Sequence, residues 1–236
     1  MKPMVVAPVM IDITPAITPA LGVFPGDVPF SREVSFDFKK GDHLVLSSIR
    51  TTLHLGAHAD GPGHYSAGGA GIGERDLSIY MGRCLVLRAN AKRGERVGLK
   101  HLEEKWRGLR AWPAERILVA TGSFPNPNAW NSDFCSLDPA LIEAWALSGV
   151  RLVGIDTPSI DPEDSKSLES HAMVARHDLA ILEGVVLENV AEGLYTLFAL
   201  PLKLEGADAS PVRAVLFRDA GLLEGVSTQP ESVNPR

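Results

Sequence analysis

The chain has 236 residues, with 23 Lys+Arg against 29 Asp+Glu, a formal net charge of −6 and a sequence pI of about 5.6. Its 45% hydrophobic and 22% charged residues are those of a folded globular protein, long enough to bury a core without disulfide or metal staples. The acidic balance and the lack of any Lys/Arg cluster argue against a phosphate-tracking nucleic-acid surface.

The N-terminal stretch is apolar, but Lys2 is its only basic residue, Pro3 and Pro8 interrupt it, and Asp12 ends it. It reads as a first strand rather than a targeting signal. Short runs rich in Val, Ile and Leu follow from end to end, and residues 4–13, 43–54, 83–88, 116–120, 150–155, 194–204 and 213–217 are expected as strands. Pro201 places the sixth at an edge or a bulge.

Helices are expected between them, at 99–108, 138–149 and 167–176. In the second, Asp138 is placed to cap, Pro139 suits the first turn, and Gly149 stops it. Leu141, Ala144, Trp145 and Leu147 would form its apolar face. Alternating strands and helices without a shift in composition predict a single α/β domain over residues 1–225, with a flexible tail at 226–236.

Residues 56–73 are Gly-rich with neither helical nor strand periodicity, and read as a long functional loop. No segment approaches the roughly 18 uninterrupted apolar residues of a membrane span. Cys84 and Cys135 form neither a disulfide framework nor a zinc CxxC pattern, so a reducing, cytoplasmic setting is expected.

The chemistry concentrates in HLGAHADGPGH, residues 54–64. His54, His58 and Asp60 supply neutral imidazole and carboxylate, the donors of a divalent cation such as Zn2+, and three protein ligands leave a position open for reaction. Glycines and Pro62 make a helical HExxH arrangement implausible; a strand delivering His54 to a loop that folds back suits them better. Asp60 has a second oxygen for another metal, and His64 is placed to carry protons beside it.

Other features have ordinary explanations. His43, His101 and His177 are polar or surface residues, and Glu103 and Glu104 lie on a solvated face. Trp106, Trp112, Trp130 and Trp145 are read as core or interface. The GGAGIG run at 68–73 has no nucleotide-loop spacing, and neither Ser66 nor Ser123 sits in a GxSxG elbow.

The block HLGAHADGPGHY resembles the HxGTHxDxPxH signature of the metal-dependent cyclase-like hydrolases. Within them the match is nearest the bacterial-type kynurenine formamidases, also called arylformamidases. The likeness extends through IDITPAITPALGVFPGDVPF, GIDTPSIDPEDSKSLESH, LAILEGVVLENV and ALPLKLEGADASPVRAVL.

The resemblance implies a swivelling β/α/β fold with a mixed sheet, and a binuclear site for two Zn2+ (or Mn2+) per chain. His54, His58 and Asp60 would hold one metal, His171 the second, with Asp60 and Glu183 bridging, and His64 would exchange protons. The residues alone did not nominate His171 or Glu183.

It further implies a homodimer or higher homo-oligomer, and hydrolysis of N-formyl-L-kynurenine to L-kynurenine and formate by metal-activated water. Two departures bear on substrate: Phe24 replaces a substrate-contacting Trp before PGD, and Gly63 replaces a larger residue before His64. Isatin hydrolysis, another cyclase-like amide hydrolysis and metal binding without catalysis are the competing readings.

Overall fold

The computed structural model describes residues 9–103 and 114–218. The strands are β1 (Met10–Asp12), β2 (Ser31–Phe36), β3 (Leu46–Arg50), β4 (His58–Asp60), β5 (Met81–Arg88), β6 (Arg96–Val97) and β7 (Arg116–Ala120). They continue with β8 (Ser136–Leu137), β9 (Leu152–Ile155), β10 (Ala180–Glu183), β11 (Gly193–Phe198), β12 (Ala209–Pro211) and β13 (Val215–Phe217). Among the described residues three α-helices intervene: α1 (Pro62–Tyr65), α2 (Pro139–Leu147) and α3 (Glu169–Arg176). Among the described residues no helix is long and apolar enough to cross a membrane.

A nine-stranded mixed sheet in the order β1-β13-β11-β5-β7-β9-β10-β4-β12 organises the domain. Its centre, β5-β7-β9-β10, is parallel, and antiparallel pairs extend it on both sides. The central strands are apolar at successive positions because both faces are covered. Cys84 and Val86 enter one core, with Leu118, Leu182 and Leu197; Leu85 and Leu87 enter the other, with Ile117, Val153 and Ile181. Helices α2 and α3 cover the second core through Leu141, Ile142, Trp145 and Val174. This is the single α/β domain that the sequence pattern predicts, with the mixed sheet that the resemblance implies.

Several local expectations are corrected. The 43–54 segment forms strand only at Leu46–Arg50 and pairs with β2, outside the large sheet, so His54 does not end a sheet strand. Residues 58–60, expected in a loop, are a fully buried strand between β10 and β12. Three residues that include His and Asp carry no strand signature of their own; pairing along both edges creates it.

Strand β11 stops at Phe198, leaving Pro201 outside it. On α2, Asp138 does accept from the Ala140 N–H at 2.9 Å, but Leu147 is 77% exposed and Ile142 takes the core position. Of the 99–108 helix, only a 3-10 turn at Leu99–His101 forms, and Leu102 ends it in an extended conformation; residues 104–108, which include Glu104 and Trp106, and likewise Trp112 and the 226–236 tail lie outside the described residues.

Candidate metal centre

Sheet register assembles the site. His58 lies directly opposite Glu183 across the β4–β10 pair, and Asp60 opposite Ile181. With a two-residue side-chain period, Ala59 enters one core while His58 and Asp60 emerge on the opposite side, the side of α3. The His58 Nε2–Glu183 Oε2 distance is 3.2 Å, and His58 Nε2 lies 3.5 Å from Asp60 Oδ1. Gly56 O anchors the ring from behind by accepting from His58 Nδ1 at 2.9 Å. Gly184 makes that approach possible, because a Cβ there would stand 2.1 Å from the same carbonyl oxygen.

The other candidates reach in from loops and a helix start. His54 Nδ1 is 3.1 Å from Asp60 Oδ1, and its Nε2 is 2.9 Å from Asp208 Oδ2. His171, in the first turn of α3, places Nε2 3.5 Å from Asp60 Oδ2 and 3.7 Å from Glu183 Oε1. His64 sits at the solvent side, its ring centroid 4.2 Å from that of His54. The structure therefore brings together His54, His58, Asp60, His64, His171 and Glu183.

His58, Asp60, His171 and Glu183 are buried, whereas the His64 side chain is 33% exposed. Among the described residues, two sets of donor atoms are close enough to share an ion: His58, Asp60 and Glu183, and His54, Asp60 and His64. The second admits His64 as a ligand, beside the proton-carrying role expected for it.

His54, His58, His64, His171 and Glu183 open into a cavity of about 640 Å³. It lies beyond the carboxyl ends of the parallel strands, where α/β sheets place their ligands, and Arg88, Gly122, Asp156 and Glu183 reach it from β5, β7, β9 and β10. Phe24 forms part of its wall, edge-on to Trp130 with ring centroids 5.5 Å apart. Trp130, expected in core or interface, is thus a cavity residue. Gly63 does not line the cavity; a Cβ there would face Gly69 O at 3.2 Å and Ala70 O at 3.4 Å, so its smallness serves loop packing.

The Cyclase family model matches residues 11–162, from β1 to past the end of β9. The chain belongs to the Cyclase family. A relative named Kynurenine formamidase, from Delftia acidovorans (strain DSM 14801 / SPH-1), is 46% identical over 205 residues, covering 87% of this chain and 95% of that one.

Solved structures share the fold. One, described as a predicted metal-dependent hydrolase from Bacillus stearothermophilus, has a TM-score of 0.75 at 24% identity, covering 91% of this chain and 100% of its own. Isatin hydrolase A from Labrenzia aggregata has a TM-score of 0.73 at 18% identity, with 89% and 93% covered. This Cyclase-family chain is a hydrolase.

The donor set fits divalent cations. His58 Nε2 and both Asp60 oxygens are buried without a hydrogen bond of proper geometry, although they face other polar atoms; such atoms are costly unless something satisfies them. The electrostatics ask for positive charge. Burial alone would lower the His54 and His171 pKa values, yet Asp60 and Asp208 around His54 push it up to about 9. Asp161 and Asp60 push His171 up to about 10. The imidazoles around Asp60 keep its carboxyl well below the ordinary range despite burial. Nitrogen and carboxylate donors in this mixture suit Zn2+ and similar ions.

Two supporting carboxylates were missed by motif reasoning. Asp161 accepts from His171 Nδ1 at 2.8 Å and fixes which ring nitrogen faces the site. Asp208 holds His54 and lies 3.8 Å from His64 Nδ1. Both fall inside family-like blocks of the sequence, which was the available signal. His101, by contrast, accepts from the Gly98 N–H and contributes nothing to the site.

Proposed function

We propose that this enzyme hydrolyses N-formyl-L-kynurenine to L-kynurenine and formate, a step of tryptophan degradation, with two Zn2+ per chain. The observation that carries the reading is the buried His/Asp/Glu cluster opening into a cavity with an aromatic wall. The 46% identical relative's name supplies the substrate class.

In this reading His54, His58 and Asp60 would hold one ion and His171 the other, with Asp60 and Glu183 serving both. Bound divalent cations bring the acidity of water into the neutral range and polarise an amide oxygen. Burial holds the His64 pKa below its ordinary value, although the Asp60 charge opposes this, so a neutral ring is available to accept a proton. His64 then returns that proton to the aryl amine as it departs, since an anilide anion is a poor leaving group. Phe24 packs against the substrate ring.

We further infer that the active unit is a homo-oligomer. Phe36, Leu46 and Ile49 are exposed on the β2–β3 ribbon, as is Phe38 beyond it, and an isolated two-stranded ribbon is marginal in water.

The deciding experiment compares N-formyl-L-kynurenine with isatin as substrates of one zinc-loaded preparation, with and without a chelator. Metal-dependent turnover of the formamide supports the reading. Turnover of isatin alone, or formamide turnover unaffected by complete metal removal, overturns it.

A further inference from the structure

The cavity carries a second chemistry besides that of the metal-ligand candidates. Trp130 is packed edge-on against Phe24, Phe124 and Phe134, with ring centroids 5.5, 5.7 and 6.0 Å away. Phe134 is buried and anchors the group, while Phe24, Phe124 and Trp130 present it to the cavity. The indole Nε1 donates to Glu163 Oε2 at 2.7 Å, and Glu163 also lines the cavity. Its Oε1 makes no hydrogen bond or ion pair among the described residues.

Charge on this wall is lopsided. Outside the His/Asp/Glu cluster, the ionisable residues lining the cavity are Arg88 against Asp27, Asp156, Glu163 and Glu188. Arg88 is turned to its own scaffold, with Nη2 donating to the carbonyls of Leu187, Glu188 and Val190. Asp156 is occupied by the N–H groups of Thr121 and Gly122 and the Thr121 hydroxyl. Asp27 accepts from the Val28 N–H.

Glu163 and Glu188 remain, and of the two only Glu163 is held by an aromatic side chain, the Trp130 indole. An indole N–H is satisfied by any neutral acceptor, so a charged one in a half-buried place calls for a cation in return. Aromatic faces beside a carboxylate are the pairing that recognises an alkylammonium group.

We propose that Glu163, held by the Trp130 indole in the cavity that Phe24 and Phe124 also line, is a specificity residue that binds a primary ammonium on the substrate, so that the site selects aryl formamides carrying a free α-amino group. This rests on the formamide hydrolysis proposed above and names the part of the substrate that the far wall reads. A neutral bicyclic lactam such as isatin offers Glu163 no cation, so this contact would favour the amino-acid substrate over it.

The test uses the zinc-loaded enzyme and Glu163→Gln, whose side-chain oxygen still accepts from the indole. The substrates are N-formyl-L-kynurenine and 2-formamidoacetophenone, the same aryl formamide without its amino-acid tail. The ratio of their kcat/KM values is expected to fall about tenfold, through KM for N-formyl-L-kynurenine, the scale of one charge-assisted hydrogen bond at a partly solvated site. Calorimetric affinity for L-kynurenine should weaken similarly relative to 2-aminoacetophenone.

Both ratios within about twofold of wild type would overturn the assignment. So would equal losses on both substrates together with a lower Tm, the mark of a residue that only ties two loops together. A wild-type enzyme that cleaves neither formamide defeats the proposed reaction, and the binding comparison then decides the ammonium site separately.

Discussion

Replacing Asp161 by Asn should damage helix α3 and the metal centre together. Helix α3 begins after Leu168, which has φ 47° and offers no capping side chain. Asp161 supplies the cap from a distance. Its carboxylate accepts from the Ser170 and His171 N–H groups at 3.0 Å and from His171 Nδ1 at 2.8 Å. Its other oxygen receives Arg96 Nη1 at 3.0 Å, and the side chain is fully buried.

An Asn can present an oxygen to only one side. Either the Arg96 contact or the His171 contacts then face an amide NH2, a donor against donors. Losing at least one charge-assisted hydrogen bond in a buried place costs about 2–4 kcal/mol. For a domain of this size that lowers Tm by roughly 4–16 °C. Because the same carboxylate orients the His171 ring, Zn2+ affinity should fall about 10–100-fold.

Calorimetry of the metal-free proteins and competition with a chromogenic chelator measure the two effects. The acid limb gives an independent check. Burial would raise the Asp161 pKa, but hydrogen bonds from His171 and Ser170 bring it down to about 2. A carboxylate depressed on folding contributes fully above its unfolded value of about 3.9 and loses that contribution as pH falls through the folded value. The stability gap between wild type and variant should therefore narrow between about pH 4 and pH 2. An unchanged metal-free Tm would refute the capping argument. A lowered Tm with unaltered Zn2+ affinity would refute the ligand role of His171.

His64→Ala should keep its metal content while kcat falls by about 10²–10⁴-fold, measured by metal analysis and steady-state kinetics; loss of metal would make His64 a ligand. Phe24 is 41% exposed and touches Trp130 by an edge, so Phe24→Ala should leave Tm nearly unchanged. The lost aromatic contact should raise KM for N-formyl-L-kynurenine roughly 2- to 12-fold; a lowered Tm with unchanged KM would make it a packing residue. Gly184→Ala combines a φ of +66° with a Cβ 2.1 Å from Gly56 O, the acceptor that holds His58. It should cost more than about 2 kcal/mol in a denaturant titration and weaken metal binding, and a variant of wild-type stability would contradict that geometry.

The sequence by itself determined the elements whose pattern is local and repeated. Apolar runs marked β5, β7 and β9, because buried parallel strands need a side chain for each face. Asp138, Pro139 and Gly149 delimited α2, because helix ends need caps and stops close in sequence. Three histidines and an aspartate within eleven residues marked the metal chemistry. Tertiary structure decided the rest, because it depends on pairing between distant segments. Strand β4 exists through β10 and β12, and the register that sets His58 opposite Glu183 joins residues 125 positions apart. Asp161, Asp208, Trp130 and Glu163 acquire their roles only when separate loops meet over one cavity: a carboxylate or an indole is unremarkable in sequence, and its meaning lies in the partner that folding brings within hydrogen-bond distance.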